Sequence, residues 1–176
     1  MVVSAALLMR ERGARATSLD AVLEHSGAPR GSIYHHFPGG REQLLREAVD
    51  YAGRYVEGRL QRGDDLLAAL DELFDEYGAN LVASDFRAGC PVVAVAVESD
   101  LRDDVKAAFE RWRRVLARGF ERVGIASERA DELAVMTLAS FEGGLILARA
   151  YRDIGPLEVV RRETSELVQA ELEAKR

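Results

Sequence analysis

The chain of 176 residues holds one cysteine, four prolines, three methionines and one tryptophan. A lone Cys90 excludes an intramolecular disulfide framework. Nothing at the start reads as a charged-then-apolar leader, so the expected setting is a reducing cytoplasm. Proline is scarce while alanine and leucine are plentiful, and charged residues are threaded through apolar repeats, a composition that favours an all-helical protein over a sheet protein. Long apolar runs are also nearly absent. The exception is Leu133 to Tyr151, LAVMTLASFEGGLILARAY, which has about the length of a membrane span but carries Glu142, a glycine pair and Arg149. A helix without a polar face has to be covered on more than one side, so a buried helix and no membrane is the expectation here.

What the chain has in quantity is apolar residues, 48%, enough for a sizeable core, and charge, 31%, with a net value of −6. The charge is unevenly placed. Residues 1–51 contain six arginines and six carboxylates, so the remainder carries the whole excess. Between residues 12 and 41, Arg12, Arg15, Arg30 and Arg41 outnumber Asp20 and Glu24. A local positive excess on an acidic protein hints at a polyanion partner.

Apolar periodicity and punctuation outline nine helices. The first ends at Gly13; the second opens at Thr17-Ser18-Leu19-Asp20, a capping-box pattern with Thr17 as the cap, and stops at Gly27. Ala28-Pro29 sets the start of a short third helix, Arg30 to about His36, and Phe37-Pro38-Gly39-Gly40 breaks it. A long fourth helix runs from Arg41 to about Arg62, with Gly63-Asp64 as the next punctuation. A fifth, Asp65 to Ala83, is followed by a loop and a short valine-rich element whose residues would also suit a strand. Three more helices follow, beginning near Asp100, Ser127 and Leu157.

A helix, a glycine-containing turn and a short second helix with polar tips form the helix-turn-helix plan for reading the major groove. The run MRERGARATSLDAVLEHSGAPRGSIYHHFPGGREQL is more specific. Arg12-Gly13, Thr17-Ser18, Gly27, Gly31-Ser32, Tyr34, His36-Phe37 and Leu44 fall where the DNA-binding domain of the tetracycline-repressor (TetR) family has its pattern, and the first 50 or so residues resemble that domain. GCPVVAVAVES followed by a tryptophan-bearing helix is similar to the branch that includes the lincomycin-efflux and flavonoid-responsive repressors. Two features depart from the family pattern: no basic arm precedes the first helix, and Pro29 stands where a small hydroxyl residue is usual. The resemblance implies an all-α protein with a helix-turn-helix domain at 1–50 and an effector-binding and dimerisation domain at 51–176. It also implies a DNA operator, a small-molecule effector and a second copy of the chain as partners, with no cofactor and no enzymatic activity.

On the third helix Ile33 and Phe37 lie four apart and face the core, which turns Arg30, Ser32, Tyr34 and His35 outward. Arg30 can pair with guanine acceptors, Ser32 with a base or a phosphate, and Gly31 lets the backbone come close to the duplex. Tyr34 and His35 suit phosphates. His36 is expected to pack or cap. Adjacent histidines point in different directions, so no metal site is expected. Ser18 can offer its hydroxyl and N–H to a phosphate or simply help cap the second helix. Arg41 opens the fourth helix, where the dipole disfavours a cation, and an anionic partner would rationalise it.

In the second domain Phe74, Tyr77, Phe109, Trp112, Leu116 and Met136 form a stripe that is plain core or, as the resemblance implies, the wall of an effector cavity. Tyr77 and Trp112 bring polar handles to such a wall. Cys90 is read as a small buried residue and Glu142 as a ligand contact, an interface pair or an edge residue. Gly143, Gly144 and Ala148 allow close helix approach, and Val160, Thr164, Leu167 and Val168 share a face of the last helix; two such helices from each subunit would make a four-helix interface. Two other classes stay open: a helical scaffold without specific DNA binding, and an all-α enzyme using Tyr34, His35 and His36.

Overall fold

The computed structural model describes residues 1–63 and 65–174; Asp64, the second half of the Gly63-Asp64 punctuation, lies outside the described residues. Among them the chain forms nine α-helices and no strand: α1 (Val2–Arg12), α2 (Leu19–Ser26), α3 (Arg30–His36), α4 (Gly40–Leu60), α5 (Leu66–Ala83), α6 (Pro91–Glu98), α7 (Arg102–Arg122), α8 (Ser127–Tyr151) and α9 (Gly155–Glu173). They divide into two compact units. One holds Met1–Tyr55 and Arg87–Ala108; the other holds Val56–Phe86 and the chain from Phe109 onward. The segment 87–108, which lies far beyond residue 50, thus belongs with the N-terminal helices.

In the first unit α1 packs on α2 and α6, and α2 packs on α3. Leu8, Met9, Val22, Ile33, Leu44 and Val49 are buried to 2% exposure or less, and each removes apolar surface worth about 1.5–3 kcal/mol from water. The helix ends have local causes. Gly13 stops α1 at φ 86, and Gly27 stops α2 in the left-handed region at φ 66, both open to glycine at no steric cost. The α2 cap is Ser18 and not Thr17: the Ser18 hydroxyl accepts from the Ala21 N–H at 3.1 Å. Thr17 is instead buried and donates its hydroxyl to the Gly13 carbonyl at 2.9 Å. The valine-rich element is the helix α6. Pro91 fits its first turn, and Val92 and Val95, three apart, are both fully buried on one face.

In the second unit α8 packs on α9, and α5 packs on both. The Asp65 carboxylate caps α5, accepting from the Leu67 and Ala68 N–H groups at 2.9 and 3.2 Å. Gly119 of α7 gives the Leu66 side chain the space a Cβ would fill. Gly144 does the same for the α8–α9 contact, since a Cβ there would stand 3.0 Å from Val160 Cγ2. By length and composition α8 could cross a membrane. Its side chains Leu133, Ala134, Thr137, Phe141, Leu145 and Ala148 are buried, while Val135, Ile146 and Leu147 are about half exposed. Cover on more than one side, expected from the sequence, is therefore not supplied by the described residues of the chain itself.

Candidate nucleic-acid interface and ligand cavity

The outward face of α3 is built from its inward one. Ile33 and Phe37 are 1% and 5% exposed and fix the rotation of a seven-residue helix, which leaves Arg30, Gly31, Tyr34, His35 and His36 in solvent. Tyr34, at 71% exposure, is a large aromatic ring that the fold leaves uncovered. His36, expected to pack or cap, is exposed instead, because the chain turns away after Phe37. Arg30 has only a loose pair with Asp20, 3.7 Å apart with both side chains largely in water, worth about 0–1 kcal/mol. Ser32 is half-buried, and its hydroxyl donates to the Pro29 carbonyl at 2.6 Å, in place of the missing hydroxyl cap. Gly31 has no positive φ, and a Cβ there would meet nothing within 4 Å, so the fold itself does not require glycine at this position.

Behind α3, the turn between α1 and α2 is held by two side chains that come from elsewhere in the sequence. Arg41 of α4 donates Nε to the Thr17 carbonyl at 2.9 Å and a terminal nitrogen to the Ala14 carbonyl. The partners the structure gives this guanidinium are thus backbone oxygens, which explains a cation at the start of α4 without an anionic ligand. From the other side, Glu98 at the end of α6 accepts from the Arg15 N–H at 2.8 Å. Its carboxylate lies 2.6 Å from where a Cβ on Gly13 would stand. Nearby, Arg46 pairs with Asp104 at 3.1 Å and Glu42 at 2.9 Å; the Asp104 hydrogen bond and charge push the Arg46 guanidinium above its ordinary pKa. The adjoining cleft of about 420 Å³ sets four arginines against five carboxylates and so attracts no anion by net charge.

The second unit contains a small enclosed cavity of about 20 Å³, room for roughly one water. Tyr77, Trp112 and Leu116, three of the six residues expected there, line it. The other three are placed differently. Phe74 packs edge-on against Phe141, with centroids 5.0 Å apart, and borders an open groove between α5 and α9. Phe109 is half-buried against Trp112 at 5.5 Å, and Met136 accepts a hydrogen bond from the Ser140 hydroxyl at 3.3 Å. Thr137, Phe141 and Glu142 of α8 complete the wall with Leu70 and Leu73. The sequence signal for them was the turn-by-turn spacing of Leu138, Phe141 and Glu142 on the helix that carries a carboxylate in an apolar run.

The helix faces expected to meet a second subunit are also redistributed. Gly144, Ala148, Thr164 and Val168 are buried within the chain, because α8 and α9 of one protomer consume them in packing on each other. Gly143, Val160 and Leu167 remain half-buried. The uncovered apolar side chains are Val135, Ile146, Leu147 and Tyr151 on α8 and Val159 on α9.

Comparison with known proteins agrees with this geometry. Residues 2–48 match the bacterial regulatory proteins of the tetR family, and residues 67–163 match the C-terminal domain of LmrA/YxaF-like transcriptional regulators. An uncharacterised HTH-type transcriptional regulator of Mycobacterium tuberculosis is 50% identical over 98% of this chain and 94% of its own length. The HTH-type transcriptional regulator LmrA of Bacillus subtilis is 30% identical, covering 89% of this chain and 88% of its own. Among solved structures, a TetR regulatory protein from Rhodobacter sphaeroides superposes with a TM-score of 0.78 at 23% identity, covering 94% of this chain and 95% of that one. The regulator CifR, a cysteine mutant complexed with 26-bp operator DNA, superposes with a TM-score of 0.65 at 26% identity, over 96% of this chain and 94% of its own. A helix-turn-helix anchored by Ile33 and Phe37, followed by this helical second unit, is the architecture of a TetR-family transcriptional regulator with an LmrA/YxaF-like C-terminal domain, and the chain belongs to that family.

Proposed function

We infer that the protein is a homodimeric, ligand-responsive repressor that reads an inverted repeat in DNA, acts in the cytoplasm and catalyses no reaction. The observation that carries this reading is the outward face of α3. Arg30, Gly31, Tyr34 and His35 are exposed on a helix whose rotation Ile33 and Phe37 fix, and nothing within 4 Å of Gly31 demands a glycine. A duplex pressed close to the backbone would demand one. Arg30 then reads a base edge, while Tyr34, His35 and the N-terminus of α2 at Ser18 hold phosphates. Ser32 and Arg41 serve chiefly by bracing α3 and the preceding turn, through the Pro29, Thr17 and Ala14 carbonyls.

One short helix contacts too few bases for useful specificity, and two related by a twofold axis read half-sites about 34–36 Å apart. The exposed apolar stripe on α8, with Val159, Val160 and Leu167 of α9, supports the dimer: a face of this kind is costly to leave in water. The DNA-reading domain is residues 1–50, braced by α6, and the domain from 51 on supplies effector cavity and dimer face. Effector in the second unit lowers operator affinity if it binds the DNA-competent conformation less well, and a coupling of about 1–3 kcal/mol gives a 5–150-fold change.

The test is a salt titration of duplex binding with the wild type and Arg30→Ala. Affinity for a cognate duplex is expected to fall steeply and linearly with log salt as phosphates release counterions. Arg30→Ala should lose about 1–3 kcal/mol of discrimination against the wrong base and keep most of the salt slope. Equal binding of cognate and random duplex by the wild type would contradict the reading.

A further inference from the structure

We propose that the cavity in the second unit selects a small organic cation, an apolar aromatic body carrying a protonated amine. This rests on the reading of that cavity as the effector site. Its wall is apolar on most sides, with Leu70, Leu73, Leu116 and Phe141, and contains one ionisable acid, Glu142, and among the described lining residues no lysine, arginine or histidine. A carboxylate in such surroundings favours a cationic or multiply donating guest over an anion, because a second negative charge in a water-poor space would have no counterion. Thr137 gives an independent sign. It is 2% exposed, it lines the cavity, and its hydroxyl oxygen has no hydrogen-bond partner. A buried hydroxyl left in that state costs free energy that a guest N–H would recover.

Thr137 lies five residues before Glu142 on α8, so an ammonium group between them has an uncharged acceptor and a charged one. The rings of Tyr77, Trp112 and Phe141 stand in the same wall, and aromatic faces attract cations while accommodating a flat apolar body. Aromatic packing there is already tight: Tyr77 and Phe141 meet edge-on with centroids 5.0 Å apart. The space of about 20 Å³ is too small for such a guest. Binding therefore requires these side chains to part, and the occupied cavity is a different conformation of the second unit. That requirement is what makes occupancy a signal, since a guest that fitted without rearrangement would shift no equilibrium.

Trp112 is the single tryptophan of the chain and lines the cavity, so its emission reports occupancy directly. The probes are 2-phenylethylammonium and 1-naphthylmethylammonium, each against the alcohol and the carboxylate of the same shape, titrated with the full-length protein. The ammonium members are expected to change Trp112 emission saturably and to bind more tightly than their alcohols, with the carboxylates weakest. Glu142→Gln should weaken the ammonium probes about tenfold or more and leave the alcohols within about twofold, while Thr137→Val should weaken both classes. Circular dichroism and unchanged duplex binding identify variants that remain folded. Alcohol or carboxylate binding as tight as ammonium binding, or ammonium binding indifferent to Glu142→Gln, overturns the cation assignment and leaves the effector site standing. Silence of Trp112 toward every head group overturns the assignment and the effector cavity together, without touching the DNA-reading function.

Discussion

Gly13 and Glu98 are 85 positions apart and meet at the turn on which the recognition helix depends. The glycine lies at φ 86, and the Glu98 carboxylate occupies the space its Cβ would need, at 2.6 Å, while accepting the Arg15 N–H. Gly13→Ala therefore meets two costs, a strained backbone and a displaced carboxylate. It should destabilise the protein by about 1–3 kcal/mol, read as a lower midpoint in thermal or urea unfolding. Adding Glu98→Ala should recover the collision but not the strain. At this scale the sequence was legible wherever a residue answers to its immediate neighbours. The stop glycines 13 and 27 and the inward pair Ile33 and Phe37 stand where spacing puts them. It was less legible where a side chain answers to a distant partner. Arg41 looked misplaced because the carbonyls it serves, of Ala14 and Thr17, belong to another turn. The one-residue difference between Thr17 and Ser18 as cap has a similar origin, since Thr17 is drawn inward to Gly13.

Among the helices, α8 separates two roles that its sequence blends. Small residues suggest close approach without naming the partner: Gly144 serves α9 of the same chain, while Ile146, two positions on, faces solvent. Two substitutions distinguish these faces. Gly144→Val drives a branched side chain into Val160 and the Pro156 carbonyl, 3.0 and 3.5 Å from the first added carbon. It should cost about 1–3 kcal/mol of fold stability. Ile146→Glu leaves the α8–α9 contact intact, so helicity and unfolding of the protomer should change little while sedimentation shifts from dimer to monomer. A dimer that survives Ile146→Glu would place the subunit contact on another face. The same blending explains why half of the expected interface residues are buried inside one protomer: helical periodicity identifies an apolar face, but a helix that is apolar almost all round has two. For α6 the ambiguity was of another kind. Valines suit a strand or a helix, and the choice fell to Pro91 in the first turn and to burial of Val92 and Val95 on one side.

Taken whole, the molecule joins a DNA-reading unit of modest net charge to an acidic helical unit. Specificity then has to come from geometry more than from bulk attraction, which places weight on the pairing of two recognition helices. The effector cavity was only half visible beforehand because its wall is assembled from α4, α5, α7 and α8, and periodicity within one helix does not reveal which residues of four helices converge. The central claim, a dimer that reads DNA by sequence, is tested most directly by selecting bound duplexes from a random-sequence pool with the purified full-length protein over several rounds. The account predicts enrichment of an inverted repeat with half-sites one helical turn or a multiple apart, lost with Arg30→Ala. A folded dimer that enriches no sequence, or that enriches a single half-site without symmetry, would contradict it.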